Sequence, residues 1–523
     1  MRGRDAGTVG VGRLVAAACA RACARACAAV WVAVWVAACA SPPRAGPREE
    51  ATGRASARAE RVLREFPAVS DFGRDLTTDQ QVLQVLDRAA FGPRPGDVAR
   101  VRRLGVDRWI AEQLTPDGID DGAMDAFVAR IPPDTAQSNG AADPRVVKVA
   151  RAVASERQLQ EVMVDFWENH FTVYAGKGRP MRDFLPAYDR DVIRPHALGH
   201  FRDLLGAVAK SPAMLFYLDN WRSGVRGLNE NYGRELLELH TLGVDGGYTQ
   251  ADVIAVARAL TGWSIDRPAQ GGGFIFRPRL HDTGEKVLLG HHLAAGRGIA
   301  DAEEVLDILA RHPSTARFVA LKLCERFVSD TPPPALVART AATFTRTDGD
   351  LRQVVWTILT SPEFFSRAAY RAKVKSPFEL VVSAVRALGG QPDSTRRSAQ
   401  VIARLGEPVF GHQAPNGYPE TGTSWMSTGA ILARINFGQA AAAGRIPGAS
   451  LDDWPAARIL RTAPRAAQVD SVVGEILGGA ASPDSRAILL SGGNPLDTGG
   501  GTPLRGLAQI VGLALGAPEF QRR

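Results

Sequence analysis

The sequence predicts a mainly α-helical protein, and three observations support that fold class. Ala, Arg, Gly and Leu are abundant while Ile, Tyr and Thr are sparse, a composition that favours helix over sheet. From Thr77 onwards, apolar residues recur at helical spacing between Gly and Pro turns. One short region, near residues 273–290, has the pattern of a small β-hairpin. We therefore expect one large multi-helix domain over residues 77–523, built as one body or as two packed lobes.

The N-terminal residues 1–38 have the layout of a lipoprotein-type signal peptide. Arginine-bearing residues precede an apolar core over 26–38, which is shorter than the ~20 residues that cross a membrane. The core ends in Val-Ala-Ala-Cys, a sequence that resembles a lipobox and makes Cys39 the candidate lipidation site. Secretory cleavage near Ala40 is the alternative. Both predict an exported protein, and a lipidated Cys39 predicts membrane contact through an acyl anchor.

Composition excludes two classes of protein. About half of the net charge of +8 lies in residues 1–38, and no dense Lys/Arg run interleaves with aromatic residues, so nucleic-acid binding is not expected. Without residues 1–38 the chain keeps only Cys39 and Cys324, which excludes a disulfide framework. Residues 39–76 are rich in Pro, Arg, Ala, Ser and Glu without hydrophobic periodicity, and they predict a disordered tether.

Helices then follow one another. Thr77 begins a helix that Gly92-Pro93 ends. A long helix over 145–173 places His170 on its apolar arc and polar residues, including Asp165 and Glu168, on the other. His170 is either a packed histidine with one backbone partner or a buried acid/base or metal-ligating group.

The helix over 229–242 carries the densest group of carboxylates. Glu230, Glu235 and Glu238 share one arc with Arg234, while His240 lies on the apolar arc. The i, i+4, i+8 spacing of Glu230, Arg234 and Glu238 fits a solvated ladder of ion pairs. The same carboxylates also fit a metal or sugar site. Thr249 then begins another helix.

Two loops add further candidates. In HDTGEK, at the turn of the expected hairpin, His281 beside Asp282 suggests catalysis or metal binding, although turn chemistry alone explains Asp282 and Gly284. After helices over 301–311, 314–329, 334–347, 350–360 and 376–388, the loop 406–427 is rich in Gly, Pro and Asn and long enough to be functional. This loop carries His412, Asn416, Tyr418 and Trp425.

A set of motifs resembles the bacterial domain-of-unknown-function 1800 family over about residues 78–523. The motifs are RAAFGP (88–93), DFWENHF (165–171), FRDLLGAVAKSPAMLFYLDN (201–220), NENYGRELLELHTLGVDGGYT (229–249), ARALTGW (257–263), RLHDTGEKVLLG (279–290), HPSTARFVALKLCERFV (312–328), KVKSPFELVVSAVRALG (373–389) and GAPEFQ (516–521). The resemblance implies an exported protein of the cell envelope and a sulfatase-like partner protein, but no activity. Where the family tends to show Gly-Trp-Pro, this chain has Gly417-Tyr418-Pro419.

Two hypotheses of different classes follow. The first is a hydrolase acting on polysaccharide or another envelope polymer, since paired carboxylates suit glycoside chemistry and a mixed His/carboxylate set suits a divalent metal. Its candidate acids, bases or metal ligands are Glu230, Glu235, Glu238, His240, His170 and His281, with Trp263, Tyr418 and Trp425 as stacking platforms. The alternative is a non-catalytic helical envelope scaffold that binds a partner protein or polymer. Convergence of Glu230, Glu238, His170 and His281 within ~8 Å around one cleft would favour the enzyme.

Overall fold

A computed structural model describes residues 61–69, 73–134, 140–493 and 504–523. The predicted signal peptide, Cys39 and the predicted tether up to residue 60 lie outside the described residues.

Helices form most of the described chain, and the mainly α prediction is confirmed. In the N-terminal half they are α1 Thr78–Arg88, α2 Asp97–Leu104, α3 Val106–Gln113, α4 Gly122–Ala129, α5 Pro144–Ala154, α6 Gln158–His170, α7 Arg179–Ala187, α8 Phe201–Lys210, α9 Pro212–Tyr217, α10 Asn231–Glu235 and α11 Gln250–Ala259. Two π-helical turns, Tyr188–Ile193 and Leu236–Thr241, continue α7 and α10.

The C-terminal half is helical as well. Its helices are α12 Ala300–Arg311, α13 Pro313–Phe327, α14 Pro334–Arg346, α15 Leu351–Leu359, α16 Pro377–Ala387, α17 Arg397–Arg404, α18 Thr428–Ala442, α19 Ala457–Leu460, α20 Arg465–Glu475, α21 Pro483–Ser491, α22 Gly506–Gly516 and α23 Pro518–Gln521. Short 3₁₀ turns are Pro116–Gly118, Ala175–Lys177, Arg194–His196, Asn220–Arg222, Pro268–Gln270, Pro278–Leu280 and Gly422–Trp425.

The β structure differs from the expected single hairpin. Strand β1 (Trp263–Ile265) pairs antiparallel with β2 (Phe274–Phe276), and β3 (Lys286–Leu288) pairs antiparallel with β4 (His291–Leu293). The two apolar runs within 273–290 therefore do not pair with each other. The first pairs with the preceding strand β1, and the second pairs with the following strand β4. The HDTGEK segment between them takes part in buried contacts instead of forming a hairpin turn.

The expected helix over 145–173 is broken near Ser155. The Ser155 hydroxyl donates to Asp121 Oδ2 at 2.8 Å, and the Glu156 amide donates to Asp121 Oδ1 at 2.8 Å. The side chain of Asp121 therefore takes hydrogen bonds at the junction, and Ser155 has extended backbone there. Two helices, α5 and α6, result.

Capping boxes begin α1, α11 and α16. In each, an N-cap hydroxyl accepts the amide hydrogen of the third helical residue, whose side chain accepts the N-cap amide hydrogen. The pairs are Thr77 with Gln80, Thr249 with Asp252, and Ser376 with Glu379. The helix starts predicted at Thr77 and Thr249 are confirmed.

Buried apolar side chains form one continuous cluster from Val62 to Phe520, and Ala59–Arg523 form one compact unit. Helices α18 and α22 pack closely through glycine. A Cβ on Gly438 would lie 2.8 Å from both Gly512 O and Gly516 N, so a larger residue would separate the two helices.

Part of the segment predicted as a tether is folded. Val62 and Phe66 are buried, and Phe66 stacks on Trp356 with ring centroids 4.7 Å apart. The Glu65 carboxylate lies 2.7 Å from Arg352. Val62 and Phe66, four positions apart, are enough to pack one short turn against the domain. The composition of residues 39–76 as a whole does not reveal so short an apolar pair. The folded part therefore begins before residue 77.

Membrane-spanning helices are not found in the part of the chain that the structure describes, where each helix is too short or too polar to cross a bilayer.

Candidate functional site

A cleft opens between α6, the N-terminus of α16 and the loop 406–427, which we call the cleft loop. It contains about 670 Å³ of empty space, part of it open to solvent. Its charged lining residues are Lys148, Asp165, Glu168, Arg326, Glu379, Glu407, Glu420 and Arg523, and its ring-bearing ones are Phe378, Phe410, His412, Tyr418 and Trp425. Charged and aromatic groups thus meet in one concave surface, as they do in many ligand sites.

Helices α5 and α6 supply one wall. Lys148 Nζ lies 2.9 Å from Asp165 Oδ1 and 2.8 Å from Glu168 Oε2, and it also faces the rings of Phe378 and Phe410. Burial alone would raise the pKa of Asp165, but the charges of Lys148 and then of a neighbouring arginine lower it. Asp165 is therefore held as a carboxylate. In Glu168 burial prevails over Lys148 and raises the pKa of the carboxyl.

Two arginines hold the other carboxylates. Arg326 on α13 lies 2.8 Å from Asp165 Oδ2 and 3.1 Å from Glu379 Oε1. Arg523 Nε lies 2.9 Å from Glu379 Oε2. Burial alone would raise the pKa of Glu379, but Arg523 and Arg326 lower it. A charged Glu379 thus bridges two guanidinium groups at the floor of the cleft.

The pKa of Glu407 is shifted in the opposite direction to those of Asp165 and Glu379. Burial, followed by the negative charge of Asp165, raises its pKa to about 8. Its Oε2 accepts the amide hydrogen of Phe378 at 2.7 Å, which fixes the carboxyl at the start of α16. The cleft therefore contains one carboxyl whose pKa is raised, Glu407, and one whose pKa is lowered, Asp165.

The cleft loop is fastened by the amide of Asn169. Asn169 Nδ2 donates to Tyr418 O at 2.8 Å, and the Tyr418 amide donates to Asn169 Oδ1 at 2.7 Å. Gly417 is required beside it, because its φ is +69° and a Cβ there would lie 2.3 Å from Asn169 O. The Tyr418 hydroxyl donates to Pro408 O at 2.9 Å, which gives the ring of this tyrosine an anchor of its own.

Three rings form the mouth of the cleft. The ring centroids of His412 and Tyr418 lie 4.6 Å apart, and those of Tyr418 and Trp425 lie 6.0 Å apart. Trp425 Nε1 donates to Pro419 O at 3.2 Å, and the ring remains partly exposed. Phe410, deeper in the cleft, has a φ of +54°, a strained conformation for a bulky residue that tends to accompany functional sites.

None of the six residues predicted for the site lines this cleft. Glu230 forms an exposed pair with Arg234 at 3.5 Å, and its Oε2 accepts from Gln250 at 2.7 Å. Glu238 accepts from the Tyr248 hydroxyl at 3.3 Å. The carboxylates of α10 and its π turn therefore lie largely at the surface.

Glu235 is half-buried, and burial together with the charge of Glu238 raises its pKa. Glu238, whose charge contributes to this rise, is another of the predicted carboxylates, so Glu235 and Glu238 lie near each other. His240, on the same π turn as Glu238, is buried against Phe171 instead.

His170 and His240 do come together, in the aromatic core. Their ring centroids lie 6.4 Å apart, and His170 Nε2 lies 3.1 Å from His240 O. Burial lowers the pKa of His170 to about 4 and that of His240 to about 3. Both nitrogens of the His240 ring and the Tyr232 hydroxyl have no hydrogen-bond partner in the described structure. These are neutral core histidines at physiological pH.

His281 lies in a separate buried network. Its Nε2 lies 3.2 Å from Asp301 Oδ2, and its Nδ1 lies 2.9 Å from Thr261 O. Lys286 Nζ lies 2.6 Å from the same Asp301 oxygen. This network fastens the HDTGEK segment to α12. Trp263 is fully buried and offers no face to a surface ligand.

Sequence reasoning therefore missed Asp165, Glu168, Glu379 and Glu407. Signals for three of them were present. Asp165 and Glu168 lie on the polar arc of a helix rich in aromatic residues, and Glu379 lies in the motif KSPFE. Glu407 had no signal beyond its position at the start of a Gly/Pro-rich loop.

Metal binding receives no support from the donor geometry. Among the residues with described positions, no group of three or more His, Cys, Asp and Glu side chains could hold a metal ion. The carboxylates of the cleft are directed instead at Lys148, Arg326 and Arg523.

Comparison with known proteins identifies a family for this chain. No curated protein and no solved structure matches the chain significantly. The profile of a family described as "Protein of unknown function (DUF1800)" matches residues 84–522. That match spans most of the chain and includes every residue that lines the cleft except Arg523, so this protein belongs to the DUF1800 family.

Proposed function

We propose that the protein is a hydrolase that cleaves glycosidic bonds of an envelope polysaccharide in this cleft. What supports the proposal is that two carboxyls with opposite pKa shifts, a raised one in Glu407 and a lowered one in Asp165, line one concave site. Two carboxyl groups with separated pKa values are the equipment of glycoside hydrolysis, in which one protonates the leaving oxygen and the other activates water or attacks.

Each group has a distinct task. Glu407 donates its proton to the leaving glycosidic oxygen, since its pKa of about 8 keeps the proton available at neutral pH. Asp165 accepts a proton from the attacking water. Lys148 and Arg326 keep Asp165 ionised and fixed, because each lies within 3 Å of one of its oxygens.

The mouth suits a sugar. Tyr418 and Trp425 present rings at the entrance, and aromatic faces pack against the apolar faces of sugar rings through burial of CH surface. The cleft loop is held by hydrogen bonds at both Asn169 and Pro408, which supports a platform that is already formed before ligand binds.

The test is release of reducing ends from a panel of envelope polysaccharides by the wild-type protein and by Glu407→Gln. Gln keeps the shape and the acceptor for the Phe378 amide but has no acidic proton. We expect a loss of about 10²–10⁴-fold in kcat, the usual contribution of general acid catalysis.

Glu230→Gln is the matched control, because Glu230 is partly exposed and does not line the cleft. It should retain wild-type activity. Activity that survives Glu407→Gln, or that is lost in Glu230→Gln, would remove Glu407 from the acid role. A wild-type protein that cleaves no member of the panel would reject the hydrolase.

The alternative is a non-catalytic helical scaffold that binds a polymer or partner protein through the same cleft. What favours it is the complete pairing of Asp165 and Glu379 with basic side chains, which a structural network would also show. Equal polymer affinity of the wild-type protein and Glu407→Gln, with no turnover by either, is the outcome expected of a scaffold.

Export and anchoring complete the proposal. An acyl chain on Cys39 would hold the domain at a membrane of the envelope, beside its polymer and beside the sulfatase-like partner that the family resemblance implies. Labelling with a radioactive or clickable fatty acid should mark the wild-type protein and leave Cys39→Ser unmarked. Label on both would exclude Cys39 as the attachment site.

A further inference from the structure

Two surface loops, neither of which lines the cleft, lie side by side. The first, residues 222–228, follows α9, and the second is the 3₁₀ turn Pro278–Leu280. The Val225 amide donates to Leu280 O at 2.9 Å, and a Cβ on Gly224 would lie 3.3 Å from Leu280 Cβ. The two loops are therefore in contact and form one surface.

The first loop ends in a tight tip. The Gly227 amide donates to Gly224 O at 2.9 Å, and the Gly224 amide donates to Gly227 O at 3.2 Å. Val225 and Arg226 occupy the two positions between these glycines, and both are exposed. A closed turn thus presents one aliphatic and one cationic side chain to solvent.

Three aliphatic side chains of the two loops are exposed. Val225 is 56% exposed, and Leu228 and Leu280 are each 38% exposed. Single exposed aliphatic residues are ordinary on a protein surface, whereas an apolar group rimmed by polar residues tends to mark an interaction site. The loops therefore have the character of a contact surface.

Three arginines, Arg222, Arg226 and Arg279, lie among these aliphatic residues. All three are exposed, and none forms an ion pair with a carboxylate of the described residues. The guanidinium of Arg222 lies over the ring of Trp221, 4.3 Å from its centroid.

The acidic residues closest to the loops in sequence already have other partners. The pairs are Asp219 with Lys177 at 2.7 Å, Glu230 with Arg234 at 3.5 Å and Asp282 with Arg258 at 2.8 Å. The positive charge of the loop arginines is therefore not neutralised by these neighbours, and the surface is complementary to an anionic ligand.

We propose that the two loops dock the domain on a membrane surface that contains anionic phospholipid headgroups. The loop patch consists of the six exposed side chains Arg222, Val225, Arg226, Leu228, Arg279 and Leu280. Its guanidinium groups bind headgroup phosphates, while its aliphatic side chains enter the boundary between headgroups and acyl chains. This contact depends neither on an acyl chain at Cys39 nor on chemistry in the cleft.

The size and composition of the loop patch favour lipid over a protein partner. A stable protein interface uses about 20–30 residues on each side, many more than this patch has. Such interfaces are also enriched in aromatic residues, whereas the apolar members of the patch are aliphatic. A membrane, in contrast, accepts the shallow insertion of a few apolar side chains beside cationic ones.

An anionic polymer is the other ligand that the arginines attract. Helix α9 leads into the first loop, and its Tyr217 hydroxyl donates to Gln413 O of the cleft loop at 2.7 Å, so a polymer in the cleft could extend towards the arginines. Such a polymer would not require Val225, Leu228 and Leu280. The aliphatic residues therefore distinguish the two ligands.

The test is flotation of the full-length chain with vesicles of phosphatidylcholine that contain one third phosphatidylglycerol. Every protein compared carries Cys39→Ser, so that no acyl chain contributes. Arg226→Gln with Arg279→Gln should lower the partition coefficient roughly 25-fold, since each arginine near an anionic surface contributes about fivefold. Val225→Ser with Leu280→Ser should lower it at least about tenfold, the equivalent of about two buried methylene groups.

Matched controls come from other parts of the surface. Arg397 and Arg404 on α17 are exposed and have no ion pair with a described carboxylate, so Arg397→Gln with Arg404→Gln removes the same charge. Ile459 on α19 is 76% exposed, and Ile459→Ser removes an aliphatic side chain. Both controls should bind vesicles like the parent protein. Residues 1–38 are common to all these proteins, so differences in binding report the substituted positions.

The outcomes are distinct. Weaker vesicle binding in both patch variants and in neither control supports docking, with thermal unfolding showing that all variants remain folded. Equal binding by the parent protein and the patch variants, or equal losses in patch variants and controls, would overturn it. Loss in the arginine variant alone would also overturn it and would assign the arginines to an anionic polymer, which retention of the parent protein on immobilised polygalacturonate would show. Loss in the aliphatic variant alone would reject the role of anionic headgroups.

Discussion

The side chain of Asn169 and the backbone of Tyr418 hold each other by two reciprocal hydrogen bonds of 2.8 and 2.7 Å. The two residues are 249 positions apart, so this contact closes the cleft loop onto α6. It also sets the position of the Tyr418 ring relative to the carboxyls of the cleft. The loop is consequently part of the folded framework and does not depend on ligand for its shape.

Asn169→Ala should lower the free energy of unfolding by about 2 kcal/mol, because both backbone groups of Tyr418 lose partners in a partly buried place. Urea unfolding at neutral pH measures this loss. Asn416→Ala serves as the control. Asn416 is exposed, and its side chain bonds to no described residue except His412, at 3.1 Å, so its substitution should cost less than about 0.5 kcal/mol. Equal effects of the two substitutions would contradict the role of Asn169 as a clamp.

Glu407→Gln should make the protein more stable at pH 8 while it removes the proposed activity. The unfolded chain ionises this carboxyl above pH ~4.5, whereas the folded protein retains the proton up to about pH 8. The wild-type protein therefore loses stability as pH rises through this window. Gln does not titrate, so the variant should exceed the wild-type protein by on the order of 2–4 kcal/mol at pH 8 and match it near pH 4.5.

Urea unfolding at several pH values gives the difference directly. A variant that is less stable than the wild-type protein at pH 8 would show that Glu407 is ionised in the folded protein. Such a result would also remove Glu407 as a proton donor, since a carboxylate has no proton to give.

The sequence predicted the apolar side of α6 correctly and left its polar side unexplained. Helical periodicity assigns Phe166 and Trp167 to the core because their burial follows from the spacing of neighbouring residues. The surroundings of Asp165 and Glu168 depend on the packing of the preceding helix α5, and on α13 and the cleft loop, which are distant in sequence. Periodicity cannot tell a polar arc that faces solvent from one that faces a cleft.

The same limit explains the predicted carboxylates of α10. Glu230 and Glu238 have the spacing of an ion-pair ladder, and Glu230 does pair with Arg234 at the surface. These carboxylates were predicted as a site because they lie close together in the sequence. A dense group of charges on a helix, however, marks a solvated face more often than a catalytic site. The cleft carboxyls are spread over three segments of the chain, α6, α16 and the cleft loop, and therefore form no local pattern.

His240→Phe should reduce the sensitivity of the fold to acid. The unfolded chain protonates His240 below pH ~6.5, but the buried ring resists protonation until about pH 3. Stability therefore falls as pH decreases from 6.5, by on the order of 3 kcal/mol for such a histidine. Phe removes this contribution, so the difference in unfolding free energy between the variant and the wild-type protein should grow in favour of the variant between pH 6.5 and 4.

At pH 7 the same variant should be as stable as the wild-type protein or slightly more so, because both ring nitrogens of His240 lack partners. A large loss of stability at pH 7 would contradict this and would show that the nitrogens of His240 are satisfied in solution.

Phe66→Ala should destabilise the domain by about 3 kcal/mol, the usual cost of truncating a buried aromatic residue. Phe66 is 6% exposed and stacks on Trp356, so Trp356 fluorescence should also shift to longer wavelength as the indole becomes hydrated. Val69→Ala, at a less buried position of the same segment, should change either quantity much less. If Phe66→Ala changes neither the free energy of unfolding nor the Trp356 fluorescence, residues 61–69 do not pack on the domain and belong to the predicted tether.

Asp301→Asn tests whether the HDTGEK segment is structural. Asp301 and Lys286 are both buried, with Lys286 Nζ 2.6 Å from Asp301 Oδ2, and His281 contacts the same oxygen. Asn leaves the ammonium of Lys286 without its counter-charge, and breaking a buried pair in this way costs about 3–5 kcal/mol. Asp348→Asn, which breaks an exposed pair with Arg311, should cost less than about 1 kcal/mol.

The two hypotheses for His281 differ in what remains of activity. If its network only fastens the segment to α12, the folded fraction of Asp301→Asn keeps the specific activity of the wild-type protein, and adding Lys286→Met restores part of the stability by removing the unpaired charge. If His281 takes part in chemistry, activity falls in the folded fraction and the second substitution does not restore it. Since His281 does not line the cleft, we expect the first outcome, which enzyme assays below the unfolding transition would establish.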